Sequence, residues 1–295
     1  MPEVPIFERL CVIGFGLIGG SIARRAREAG LARALVAYDA SDAVRTRVRE
    51  LGIVDEVAET AQAAVAAADC VIVCVPVGAI AGVAAEIAPS LAPGAILSDV
   101  GSTKLGVIGA LAAHIPPHVA FVPAHPMAGT EFSGPDSGFS ALFEGRWVLL
   151  TPPAGTDEAA IGRIEAFWRG CGANVERMEA AHHDRMAAMV SHLPHLIAFT
   201  ICNTAEGLED ESRREVLQFA ASGFRDFTRI AASDPVMWRD IFLANREALL
   251  EMLARFTEDA QAMARAIRFG DAAYIERSVE RGRAIRQSLI EQKQA

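Results

Sequence analysis

A histidine lies in the stretch Pro123-Ala124-His125-Pro126-Met127-Ala128-Gly129-Thr130-Glu131, directly after the apolar run at residues 119–122. A neutral imidazole accepts protons near neutral pH, so His125 is a candidate general base for a hydroxyl. Proline after it biases His125 toward extended backbone, and Gly129 is expected to let the chain turn away. The stretch therefore reads as a rigid loop at the C-terminal end of a buried strand. A second loop, Ser98-Asp99-Val100-Gly101-Ser102-Thr103-Lys104, follows another apolar run. Ligands of open parallel sheets bind at the C-terminal strand ends, so Ser102 and His125 could meet there, with Ser102 fixing the histidine tautomer or bonding the same hydroxyl. Plainer readings remain open: a loop-capping histidine, and a serine that only caps a helix.

Gly14-Phe15-Gly16-Leu17-Ile18-Gly19 is a G-x-G-x-x-G segment. It follows a strand-like run at residues 10–13, opens a helical stretch at residues 21–29, and precedes Asp39 by twenty residues. That context is the dinucleotide-binding fingerprint. The glycines admit a pyrophosphate to the backbone, and the helix N-terminus offers unpaired N–H groups to it. Asp39 would accept from ribose hydroxyls and repel a 2′-phosphate, which favours NAD over NADP. Arg45 is close enough in sequence to oppose that preference.

Two further stretches carry chemistry-bearing residues. Ser191-His192-Leu193-Pro194-His195 places two histidines on neighbouring positions of one helix face, downstream of His182 and His183. Neither HExxH nor a matching carboxylate spacing accompanies them, so no metal is expected. Gly223-Phe224-Arg225-Asp226-Phe227-Thr228-Arg229 places two arginines four apart. Their planar forks could clamp a carboxylate or coat a solvated helix face.

The elements that must position these residues alternate. Continuous apolar runs at 10–13, 34–38, 70–75, 95–99 and 119–122 are separated by helix-length segments. Runs apolar on both faces belong to a parallel sheet covered on both sides. Residues 147–150 read as a further, edge strand. From about Glu179 no strand run appears. Helical spacing takes over, with a kink expected at Pro194, a helix running from Ser233-Asp234-Pro235 through Phe256, and a last helix over 272–292. The reading is an α/β Rossmann-type dinucleotide-binding domain, residues 1–178, followed by an all-α C-terminal domain, residues 179–295.

At 295 residues the chain fits two domains. A net charge of −9 argues against nucleic acid, whose phosphates need clustered cations. The longest uncharged apolar stretch, residues 70–85, is interrupted by Pro76 and Gly78, so no membrane span is expected. Five cysteines without CxxC spacing fit a reducing, cytoplasmic setting.

The segments GFGLIGGS, SDVGSTK, PAHPMAGTE, HHDRMAAMVSHLPH and GFRDFTRIAASDPVMWRDI, in this order over residues 10–255, resemble the prephenate/arogenate (cyclohexadienyl) dehydrogenases of tyrosine biosynthesis. The resemblance implies NAD-dependent oxidative decarboxylation of a cyclohexadienol carrying a ring carboxylate. It implies His125 as base, Ser102 as its orienting partner and Arg229 as a carboxylate ligand. His195, Ser191 and Arg225 would line the same pocket, with Gly129, Thr130 and Glu131 at its mouth. Gly14 to Gly19, Asp39, Val75, Pro76 and His192 would contact the cofactor. Trp238 would reach in from the neighbouring subunit of a homodimer formed through the helical domain. No fused chorismate mutase or ACT domain fits within these residues. A β-hydroxyacid dehydrogenase shares the architecture but needs an interdomain lysine, and residues 180–256 contain none. A dimeric nucleotide-binding protein without catalysis would have no use for both His125 and Ser102.

Overall fold

The computed structural model describes residues 4–130, 132–208, 215 and 218–291. Six parallel strands form the main sheet, in the order β3-β2-β1-β4-β5-β6. They are β1 (Phe7–Ile13), β2 (Ala32–Tyr38), β3 (Glu56–Val57), β4 (Cys70–Val73), β5 (Ile96–Asp99) and β6 (Ala120–Phe121). Helices α1 (Leu17–Glu28), α2 (Asp42–Leu51), α3 (Ala61–Val65), α4 (Val77–Ile87) and α5 (Leu105–Leu111) connect them. The order reverses between β1 and β4, and that reversal is where such sheets open a ligand crevice. The apolar runs are continuous because each strand feeds two cores. Leu10, Val12, Cys70 and Ile72 join one cluster, while Cys11, Ile13, Val71 and Val73 join the other.

Two expectations about this half change. The stretch after β6 is not a loop: Ala124–Pro126 form strand β7, which pairs antiparallel with β8 (Trp147–Leu150), His125 opposite Leu149. Strand β8 is also not an edge, because β9 (Asn174–Arg177) pairs parallel on its other side. The 147–150 run is apolar because it is central. Its partner β9 is largely exposed and carries no such signature. Helix α6 (Glu158–Gly170) buries Phe167 and Trp168 against the same core.

Beyond β9 the described residues are helical. Helix α7 (Ala180–Ala187) runs through a π-helical turn (Ala188–His192) into α8 (Leu193–Glu206). Pro194 enters at the start of α8 without breaking the helix, because the widened turn lies just upstream, where a proline ring crowds the preceding carbonyls. By length and composition alone, the run Ala180–Glu206 could cross a membrane, against the expectation from its charged residues. It also carries the buried pair His183 and Asp184. Next come α9 (Ser222–Thr228) and α10 (Pro235–Ala244), the latter capped by Asp234 accepting from the Met237 N–H. The expected single helix from Pro235 onward stops at Asn245, whose backbone leaves the helical region and whose side chain turns inward.

The chain divides into two compact units, Met1–Arg246 and Glu247–Ala295. The first unit takes in α7 to α10 because they pack on the sheet helices: a Cβ at Gly78 of α4 would lie 2.5 Å from the Asp240 carboxylate of α10. The second unit contains α12 (Ala272–Glu291) and nearly all of α11 (Arg246–Phe269), joined through Gly270 at φ 68°.

The glycine loop separates packing from access. At Gly19 an added Cβ would lie 2.0 Å from the Gly14 carbonyl oxygen, whereas at Gly16 it would meet nothing within 4 Å. Gly19→Ala is expected to cost about 1–3 kcal/mol, a fall of several degrees in Tm. Gly16→Ala should leave Tm unchanged while weakening dinucleotide binding. Thermal melts with a fluorescence titration of NADH check both.

Candidate active site

Asp39 directly follows β2 and holds the glycine loop in shape. Its Oδ2 accepts from the Phe15 N–H at 2.8 Å and its Oδ1 from the Ser41 N–H at 2.9 Å. The Phe15 ring itself is buried in the core, as is most of Leu17, so these two act through backbone. Ile18 packs on the same core. Gly14 lies at φ 90°, and a Cβ there would sit 2.9 Å from the Cys74 carbonyl and 3.0 Å from Val75, so Val75 flanks the loop. Pro76 is exposed and starts α4. Helix α1 has no side-chain cap at Gly16, which leaves its first N–H groups for an anion. Arg45 does not oppose Asp39. Its guanidinium donates to the Asp39 and Ala40 carbonyls, at 2.6 and 3.2 Å, and pairs with Asp42. An open cradle, a free helix end and a carboxylate beside it fit a dinucleotide with an unphosphorylated ribose.

His125 is 8 % exposed. Pairing with β8 fixes its backbone, and the Met127 N–H donates to the Trp147 carbonyl just beyond. Its Nδ1 lies 2.8 Å from Nε2 of His183, and among the described residues its Nε2 has no partner. Burial, then the neighbouring His183, Lys104 and His192, push its pKa well below the ordinary histidine value. Ser102 lies half-buried in the loop after β5, but among the described residues it makes no hydrogen bond with His125. Gly129 is exposed, with no positive φ and open space around it, so the turn does not require glycine. The Thr130 hydroxyl accepts from the Phe132 N–H at 3.3 Å. Glu131 lies outside the described residues.

The helical segment brings His192, His195, Ser191 and Trp238 together. His195 stacks on Trp238, centroids 3.7 Å apart. Its Nδ1 donates to the Ser191 carbonyl at 2.9 Å, so a neutral ring offers Nε2 as an acceptor. Burial and the nearby Arg229 charge lower the His195 pKa. Trp238 thus meets His195 of its own chain, without a neighbouring subunit. Arg229 follows α9 at its C-terminal end; Arg225 lies within α9, and both are exposed. His192 is fully buried and faces the Asn245 Nδ2 at 3.0 Å. That amide also donates to the Asp184 carbonyl at 2.8 Å, which fixes its orientation. His192 Nδ1 therefore accepts, and its protonated Nε2 is a buried donor without a partner among the described residues. Burial lowers its pKa to about 4. Among the described residues no three His, Cys, Asp or Glu side chains gather as metal ligands.

The sequence profile described as "Prephenate dehydrogenase, nucleotide-binding domain" matches residues 22–177, and that described as "Prephenate dehydrogenase, dimerization domain" matches residues 179–280. The chain belongs to the prephenate dehydrogenase family. It is 41% identical over 270 residues to the cyclohexadienyl dehydrogenase of Zymomonas mobilis, 92% of each chain. Its fold matches the crystal structure of Aquifex aeolicus prephenate dehydrogenase in complex with hydroxyphenyl propionate and NAD+, with a TM-score of 0.89 and 30% identity, over 96% of this chain and 98% of that one. Synechocystis arogenate dehydrogenase gives a TM-score of 0.81 and 25% identity, over 95% and 99%.

In this dehydrogenase several site residues lay outside sequence reasoning: Asp99, Lys104, His183, Asp184 and Asn245. Lys104 is one of two lysines in the chain and is wholly buried. Its Nζ donates to Asp99 Oδ2 at 2.6 Å and to the Ala124 carbonyl at 2.7 Å. It thereby clamps the loop after β5 against the residue preceding His125. Burial lowers its pKa, against the pull of Asp99. Its place in the 98–104 loop gives Lys104 no role by spacing alone; its burial reveals the clamp. Lys104→Met leaves Asp99 buried and unpaired, so a loss of about 3–5 kcal/mol is expected, read as a lowered midpoint in urea denaturation.

Proposed function

We propose that this enzyme catalyses the NAD-dependent oxidative decarboxylation of prephenate, arogenate or both, giving 4-hydroxyphenylpyruvate or tyrosine. The observation that carries the reading is a buried histidine, His125, tied through Nδ1 and open at Nε2, just past the C-terminal end of β6 in the sheet that carries the dinucleotide cradle. Bound NAD+ supplies the two-electron hydride acceptor. His125 takes the proton of the ring hydroxyl on Nε2, so that the carbon bearing it can give up its C–H bond as hydride and become a ring carbonyl. Loss of the ring carboxylate as CO2 leaves that bond's electron pair in the ring, which becomes aromatic, and His125 returns its proton to the phenolate oxygen. Arg229 and His195 bind the substrate's carboxylate-bearing end, with Ser191 and Arg225 at the same wall and Gly129, Thr130 and Glu131 at the mouth. Ser102 acts at the hydroxyl, and His192 at the cofactor. Asp39, with Arg45 locked onto its own backbone, supports NAD over NADP.

The division of labour follows residues 1–178 for cofactor and 179–295 for substrate and dimerisation. Exposed apolar side chains on the helical segment, among them Met189, Val190, Leu243 and Leu250, support a homodimer. All five cysteines are free, which supports the cytoplasm as its location.

Absorbance at 340 nm with NAD+ and either prephenate or arogenate tests the activity, and the ratio of kcat/KM names the substrate; silence with both refutes it. His125→Asn is expected to lower kcat by about 10²- to 10⁴-fold while substrate still binds. Arg229→Ala should raise KM strongly with a smaller change in kcat. The base works unprotonated. Since burial lowers its pKa, kcat/KM should stay flat through neutrality and fall only on the acid side of about 6.5, which a pH–rate profile measures.

A further inference from the structure

Behind His125 lies a line of buried groups. His125 Nδ1 is 2.8 Å from His183 Nε2, and His183 Nδ1 is 2.8 Å from Asp184 Oδ1. His183 is fully buried and Asp184 is 2 % exposed. Asp184 Oδ1 also accepts from the Lys104 N–H at 2.8 Å, and Oδ2 from the Leu105 N–H at 2.9 Å.

The proton positions follow from which atoms can only accept. Burial pushes the Asp184 carboxyl pKa up, but the bonds from His183, Lys104 and Leu105 outweigh it and hold the group below its ordinary value. An ionised carboxylate only accepts, so His183 Nδ1 carries a proton. In a neutral imidazole only one of the two ring nitrogens carries a proton. A neutral His183 protonated at Nδ1 has a bare Nε2, and that nitrogen only accepts. His125 Nδ1 must then donate to it, and His125 Nε2 keeps its lone pair.

We propose that His183 and Asp184 are positioning residues that fix the tautomer of His125, so that Nε2 is the bare nitrogen presented to the substrate hydroxyl. This rests on the reading of His125 as the base. When the hydroxyl O–H bond breaks and the Nε2–H bond forms, the new imidazolium keeps its Nδ1–H on a lone pair backed by a carboxylate. The cation is stabilised where it forms, and no second proton has to move. Without His183 the ring would be free to carry its proton on Nε2, presenting a donor to the hydroxyl it must deprotonate.

Nitrogen-15 NMR of the histidine-labelled full-length enzyme with NAD+ reads the tautomers directly, with His125→Asn and His183→Gln assigning the resonances. Both rings are expected as the Nδ1–H form. A neutral His125 protonated at Nε2 overturns the proposal, whatever the enzyme turns over. In kinetics, His183→Phe should lower kcat by about 10²- to 10⁴-fold with KM for both substrates within a few-fold. His183→Gln, whose side-chain oxygen can accept from His125 Nδ1, should recover most of that loss. Equal kcat in the two variants, with equal melting temperatures and NAD+ affinity, also overturns it. Wild-type enzyme inert toward prephenate and arogenate would instead refute the assigned reaction and leave the NMR result standing.

Discussion

Asp184 is nearly sealed from water, and an isolated carboxylate at that depth would be too costly to keep. It survives because three donors converge on it: the His183 ring and the backbone N–H groups of Lys104 and Leu105. Those two N–H groups open α5, at the end of the loop that follows β5, while Asp184 belongs to α7. The carboxylate therefore bolts the helical segment to the sheet at the point where the base is held. Lys104 extends the same junction from its other end, donating through Nζ to Asp99 and to the Ala124 carbonyl next to His125. Removing either charge strands the remaining groups, so the network stands or falls together.

This arrangement explains why the base sits on a strand. A proton acceptor has to be held within about 3 Å of one oxygen. A loop would need many contacts to hold it there, whereas β7 gains its position from pairing with β8, with His125 in register with Leu149. The strand fixes the Cα, His183 fixes the ring, and little freedom remains at Nε2.

The glycine loop, the parallel sheet, Asp39 and the change to helices near Glu179 were legible in the sequence because each rests on local pattern: a spacing, a doubly buried run, a period. His125 was legible because proline and an apolar run frame it. What stayed hidden depends on partners far along the chain. Asp99, Lys104 and Asp184 read as ordinary polar residues, and nothing local says that the Lys104 backbone meets a carboxylate eighty residues away. Nothing in the sequence sets His183 apart from His182, yet one ring is exposed and the other fully buried. Strand β9 was invisible because its side chains are mostly solvated. Asn245 was absorbed into a helix, since the asparagine's inward hydrogen bonds, rather than a proline or glycine, end α10 there.

The π turn ties these observations together. His183 and His192 are nine residues apart, which is about two and a half turns of an unbroken α-helix. That count would place them on opposite faces, one toward the sheet and one away. Residues Ala188–His192 form a wider turn, which rotates the chain less per residue and brings His192 back toward the face that carries His183 and Asp184. The result is visible in the bonds: the Asn245 amide joins the Asp184 carbonyl to His192 Nδ1. Proline at 194 suits this geometry, because it supplies no N–H and crowds the carbonyl of a regular helix at residue 190. A straight helix through this segment could not present both histidines to one site, so the irregular turn is the form in which the helix can serve the chemistry.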